Sequence, residues 1–216
     1  MFYLSSIFTN IIGEKVYYTF KSGREKNMID KKIVKECIEK ILIAIGENPE
    51  REGLRKTPER VANMLEEVFM GINYTNDEIA AKYDVTFADD LEFANKNVII
   101  LKDISIFSFC EHHMALIYDM KISVGYIPKN KVIGLSKIVR ICDLVCKRLQ
   151  LQERIAQDIV YILKKILGTD DIAVIIYATH SCMTIRGIKN SNTITKTVIY
   201  KGRFKTDLSL QSQMLE

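Results

Sequence analysis

Long apolar runs are missing from this sequence. Nowhere in its 216 residues do about 18 uncharged apolar residues follow one another, so no stretch reads as a membrane span. A strong charge excess is missing too. Lys and Arg number 31 against 27 Asp and Glu, and the net +4 is too small to demand a nucleic-acid partner. There is no low-complexity segment and no internal repeat, and 48% hydrophobic with 27% charged residues excludes bulk disorder. Residues 1–12 are mildly apolar but have no basic stretch ahead of them and no small-residue cleavage site. A secretory leader is therefore not expected, and a cytoplasmic location is. Cysteine is scarce and odd in number. Five at irregular spacing fit a reducing compartment with free or metal-bound thiols, and a chain this long can bury a core without disulfides. Histidine is scarcer still, and its three copies all lie in two short clusters that also contain cysteine.

At roughly 150 residues per domain, the length argues for one domain. Residues 1–28 carry no motif and read as a flexible or docking extension, leaving 29–216 as the domain proper. Ile33, Val34, Cys37, Ile38, Ile41, Leu42 and Ile45 recur at helical spacing, with Gly46 as the C-terminal cap. Thr57-Pro58-Glu59 reads as a second helix start with Thr57 as N-cap, and Gly71 as its end. A short third helix is expected from Asn76 or Asp77. Strands are expected over 98–109 and 117–127, helices over 136–149 and 152–167 with a stop at Gly168, and strands over 172–179 and 193–200. That order is α+β, with antiparallel strand pairs.

Chemistry concentrates in two places. Cys110-Glu111-His112-His113 follows a strand, and His180-Ser181-Cys182 ends another. Cys110 and His113 can reach one metal if the strand turns there, and on a continuing strand His180 and Cys182 would face the same side. Cys and His suit zinc, and three protein ligands leave a fourth position open for water. The remaining histidines would then be free to carry protons. An isolated Cys-x-x-His is more often packing than ligation. The coincidence of all three histidines with two cysteines favours the metal reading. Cys37, Cys142 and Cys146 read as core residues instead.

Two further runs are ambiguous alone. Gly134-Leu-Ser136-Lys137 followed by Arg140 offers backbone N–H groups and two cations one turn apart, which is a phosphate cradle or simply a capped, solvated helix start. Gln152-Glu153 offers an amide and a carboxylate, the pairing that reads a guanine edge, but such residues are common at helix starts.

The run FCEHHMALIYDMKISVGYIPKNKVIGLSKIVRICDLVCKRLQLQERIAQDI, followed by HSCMTIRGIKNSNTITKTV, closely resembles the GTP cyclohydrolase I family. The upstream EGLRKTPERVANML resembles that family's N-terminal helical signature, and the match extends over about residues 29–204. The resemblance implies a tunnelling fold and a toroidal homodecamer of two pentamers. It implies conversion of GTP to 7,8-dihydroneopterin triphosphate and formate, opening a folate or biopterin pathway. It assigns zinc to Cys110, His113 and Cys182, and proton transfer to His112 and His180. It also assigns guanine recognition to Gln152 and Glu153, and triphosphate contacts to Ser136, Lys137, Arg140, Arg186 and Arg60. A triphosphate carries about four negative charges, for which clustered Lys and Arg are the counterpart. Two departures stand out. Residues 114–120 lack the Pro and Gly of many relatives, and Asn63 replaces a frequent lysine. Glu111 has no assigned role.

Rival classes are weaker. A zinc nucleobase deaminase shows H-x-E with a later P-C-x-x-C, and no C-x-x-C exists here. A purine- or pterin-binding protein without catalysis would not need the full histidine set.

Overall fold

The computed structural model of the protein describes residues 29–88 and 97–216, and before them only the backbone of β1 (Ser5–Thr9) and β2 (Lys15–Thr19), which pair antiparallel. The rest of the expected extension over 1–28 lies outside the described residues. Helix α1 (Lys31–Ala44) is capped by the Asp30 carboxylate, which accepts from Ile33 N. It closes with Gly46 N–H on Ile43 O and Glu47 N–H on Leu42 O, a six-to-one bond that needs the left-handed backbone of Gly46 at φ 88°. Helix α2 (Thr57–Val68) packs against it.

Three local expectations change here. Thr57 is already helical, its hydroxyl caps nothing, and Lys56 holds the N-cap position, so Pro58 falls one residue deeper. Gly71 does not stop α2, which ends at Val68. Gly71 sits in a 3-10 turn (Met70–Asn73), where its N–H donates to Lys147 O and a Cβ would collide with the Leu144 carbonyl. Cys37, expected in the core, is exposed. The reason is that α1 buries only Leu42, leaving Val34 and Ile38 half-buried and Ile33 and Ile41 open.

Helix α3 (Asn76–Tyr83) begins with a complete capping box between Thr75 and Glu78. A short β3 (Thr86–Ala88) pairs antiparallel with β6 (Lys131–Ile133). The main sheet holds β4 (Ile99–Cys110), β5 (Ala115–Tyr126), β7 (Leu149–Gln150), β8 (Ile172–His180) and β9 (Thr195–Tyr200), in the order β7-β4-β5-β8-β9. Every pairing is antiparallel except β4 with β7. Helices α4 (Leu135–Cys146) and α5 (Gln152–Leu167) cover one face. Ile138, Ile141, Ile155, Ile159 and Ile162 on them are fully shielded from solvent. Gly168, left-handed at φ 67°, ends α5 as expected.

The other face has a smaller cluster that the sequence reading did not anticipate. Helix α7 (Leu208–Leu215) lays Leu210 and Met214 on Ala173 and Ile175, with Phe204 filling the gap. That second cover explains why the later half of β5 and nearly all of β8 are buried instead of alternating. The architecture is α+β.

Candidate active site

The site begins with a turn. Strand β4 ends at Cys110, residues 111–114 reverse the chain with Met114 at φ 49°, and β5 returns with Ala115 opposite Cys110. Two contacts hold this turn from outside. Glu111 N–H donates to Gln150 O at 3.1 Å, and the Arg154 guanidinium grips both Glu111 carboxylate oxygens at 2.5 and 3.2 Å. Arg154 holds the Glu111 carboxyl below its ordinary range. Within the turn Cys110 points inward and is 5% exposed, while His112 and His113 remain open.

Strand β8 brings the second cluster to the same place by pairing His180 with Ile117. There the strand stops. Ser181–Thr184 form one helical turn, α6, so Cys182 is not a strand neighbour of His180 as alternation suggested. The turn still delivers it: the ligand atoms of Cys110, His113 and Cys182 all lie within 4.8 Å of one another.

This donor set fits zinc. Tetrahedral zinc with bonds of about 2.3 Å holds two sulfurs about 3.8 Å apart, so adjustments of about an ångström close the site. The thiols also ask for a cation. Burial raises the Cys182 pKa above its ordinary value and the adjacent Cys110 raises it further; a bound metal reverses that penalty. Arg186 also reaches the cluster, with one guanidinium nitrogen 2.7 Å from His113 Nε2. A ring nitrogen accepting from a guanidinium cannot simultaneously bind a metal, so a metal taking Nε2 would turn Arg186 aside.

The two remaining histidines flank the cluster differently. His112 is exposed, with Nδ1 3.8 Å from Cys110 Sγ. His180 is half-buried, and burial lowers its pKa, opposed in part by Glu153. Its Nε2 lies 2.8 Å from the side-chain oxygen of Gln152. Gln152, expected to read guanine, is 1% exposed, and its amide nitrogen donates to Ile176 O and Thr195 O at 3.1 Å each. Glu153 beside it is exposed.

The residues expected to cradle phosphate lie elsewhere on the chain. Ser136 is the second residue of α4, whose N-cap is Gly134, so its hydroxyl is no cap; Lys137 and Arg140 follow on the same helix. A Cβ on Gly134 would meet only ordinary contacts, so that glycine is not needed for close approach. The opposite end of α4 meets the strand that ends at Cys110, because Ser108 Oγ donates to Cys146 O at 2.7 Å. Ten residues of helix at about 1.5 Å each put Ser136 roughly 15 Å from that end. Arg60 lies exposed on α2, and among the described residues no hydrogen bond or ion pair joins it to the cluster. One chain therefore gathers Cys110, His112, His113, Gln152, Glu153, His180, Cys182 and Arg186, and leaves Ser136, Lys137, Arg140 and Arg60 apart.

Residues 34–216 match the family model described as GTP cyclohydrolase I. The chain belongs to the GTP cyclohydrolase I family of enzymes. Among its relatives, the GTP cyclohydrolase 1 of Ruminiclostridium cellulolyticum is 56% identical over 189 residues, covering 87% of this chain and 97% of the relative. That of Clostridium botulinum (strain Loch Maree) is 56% identical over 189 residues, 87% and 96% of the two chains. That of Clostridium acetobutylicum is 53% identical over 188 residues, with the same coverage.

Two supports of this GTP cyclohydrolase I-type site escaped the sequence reading. Arg154 follows Gln152-Glu153 and its partner Glu111 follows Cys110, so the opposite charges of these two runs were the available signal. Arg148 carried no such signal. It donates to Gly71 O, Tyr74 O, Asn76 and Asp158, tying the strand that holds Glu111 N–H to α3 and α5.

Proposed function

We propose that this chain is a zinc-dependent GTP cyclohydrolase that converts GTP to 7,8-dihydroneopterin triphosphate with release of formate, the first step of a folate or tetrahydrobiopterin pathway. The convergence of Cys110, His113 and Cys182 with two further histidines at their rim carries this reading. Residues 29–216 form the catalytic domain in this reading, with 1–28 as an extension. Held by the three ligands, zinc would supply a Lewis acid that lowers the pKa of water toward 7. The protein's own groups supply the rest. His112, open beside Cys110, donates a proton to the purine ring nitrogen next to C8, which makes that carbon electrophilic. Glu153, exposed at the mouth, accepts from the guanine edge. His180 serves the later proton transfers, as the opened ring loses formate and the ribose rearranges.

The cradle of Ser136, Lys137 and Arg140 holds the triphosphate, together with Arg186 and Arg60. Its place at the end of α4 remote from β4, roughly 15 Å along the helix from Cys146, supports a homo-oligomer in which one copy's cradle faces another copy's histidines. We read that assembly as the toroidal decamer of two pentamers, built on the tunnelling fold. Among the described residues no helix is long and apolar enough to cross a membrane. A cytoplasmic enzyme without a nucleic-acid partner completes the proposal. Incubating zinc-loaded protein with GTP should yield stoichiometric formate and a fluorescent pterin; ammonia without formate would instead indicate a deaminase.

A further inference from the structure

Gln152 is committed on all sides. Its side chain is 1% exposed, and its amide nitrogen lies 3.1 Å from two carbonyl oxygens, Ile176 O on β8 and Thr195 O on β9. Carbonyls only accept, so the –NH2 end must face them, and this fixes which way the amide is turned. The oxygen then faces His180 Nε2 at 2.8 Å. An amide oxygen also only accepts, so Nε2 must carry the hydrogen. The basic lone pair of neutral His180 is left on Nδ1.

We propose that Gln152 is a positioning residue for His180, fixing its tautomer and ring orientation so that Nδ1 is the atom that exchanges protons with substrate. Gln152 takes no part in reading guanine, which falls to Glu153. The design is economical in elements. One amide ties the middle of β8 to the start of β9 and aims the histidine that closes β8. It rests on the proposed reaction, and it alters the part that Gln152 would play in it.

The test compares zinc-loaded wild type, Gln152→Met, Gln152→Ala, His180→Ala and the double variant Gln152→Met/His180→Ala. Gln152→Met keeps the buried volume, which guards against the alanine variant failing to fold. GTP binding to Gln152→Met should change by less than about threefold, as should its preference for GTP over inosine triphosphate, which lacks the 2-amino group. Turnover should fall roughly 10- to 100-fold, with the same ring-opened species accumulating as in His180→Ala. In the His180→Ala background the substitution should cost little more. Nitrogen-15 NMR of histidine-labelled protein reads the tautomer directly, because the chain has only three histidines and His180→Ala assigns one. Wild type should show His180 protonated at Nε2, and Gln152→Met a mixture.

A wild-type Nδ1–H tautomer, loss of the preference for GTP in Gln152→Met, or an undiminished cost in the His180→Ala background would each overturn the proposal. A wild type that releases no formate would overturn the proposed reaction instead, and the NMR result would still decide what Gln152 does to His180.

Discussion

The histidine cluster and the phosphate cradle are built in opposite ways. The cluster draws on residues 110–113, 150–154 and 180–186, far apart in sequence, and a single chain brings them together. The proposed cradle is contiguous over 134–140, and among the described residues no hydrogen bond or ion pair joins Ser136, Lys137 or Arg140 to the cluster. Under the proposed reaction, the motif compact in sequence is only half a site, while the dispersed one is nearly whole. Substrate chemistry explains the split. A metal centre needs rigid convergence to within an ångström, which one sheet supplies, whereas the proposed triphosphate would tolerate a charged surface brought up by a second copy.

The sharpest way to break this comparison is complementation. Cys182→Ala removes a metal ligand and Lys137→Ala removes a cradle cation, so each pure variant should lose activity, the former almost wholly and the latter about 10- to 100-fold. If sites are shared between copies, complexes assembled from both variants should recover activity toward about a quarter of wild type by random mixing. Mixed complexes no better than the parent variants would mean that one chain supplies both halves.

The next largest effect separates the halves energetically. Arg140→Ala and Lys137→Ala should each weaken GTP binding by roughly 1.5–3 kcal/mol, leave guanosine binding unchanged, and leave zinc content at one per chain. Arg186→Ala should touch both halves, because its guanidinium lies against His113. Isothermal titration with elemental analysis checks all three. Zinc loss in Lys137→Ala would erase the distinction.

Where the sequence was readable, the reason was local. The spacing of Ile155, Ile159 and Ile162 announces α5, and Gly46 and Gly168 end helices because only they take the left-handed backbone easily. Cys110 and His113 were legible because a turn between two strands is a short-range event. What failed was whatever depended on distant neighbours. Cys37 looked buried because its helix is amphipathic, but periodicity does not say what covers a face. Gly71 looked like a helix stop, and its real constraint is the carbonyl of Leu144, seventy-three residues on. Gln152 is legible locally only as an amide whose chemistry suits guanine. Only the backbones of β8 and β9, invisible in the local sequence, show that its amide is already engaged.

A smaller effect tests what stiffens the cluster. Arg154→Ala should weaken zinc binding by no more than about fivefold, since an exposed ion pair is largely screened by solvent, with triphosphate affinity unchanged. Competition with a chromophoric chelator measures it. Unchanged zinc affinity would show that the bond from Glu111 N–H to Gln150 O suffices to hold the turn.

The smallest effect concerns α4 itself, which presents the cradle at one end and buries two thiols at the other. Cys142 and Cys146 are fully enclosed, and burial pushes the Cys142 thiol up to about 12 and Cys146 well above its usual value. At pH 9 a thiol titrating near 12 is ionised in only about one part in a thousand, so it reacts poorly even if reagent reaches it. Cys37 is exposed and open to reagent. In zinc-loaded native protein, iodoacetamide should therefore label Cys37 first at pH 7–9, with Cys110 and Cys182 following only after the metal is chelated. Cys142 and Cys146 should wait for denaturant. Peptide mapping by mass spectrometry reads the order. Native labelling of Cys142 at the rate of Cys37 would mean that α4 does not dock as described. The distance along that helix, on which the separation of cradle from cluster depends, would then lose its anchor.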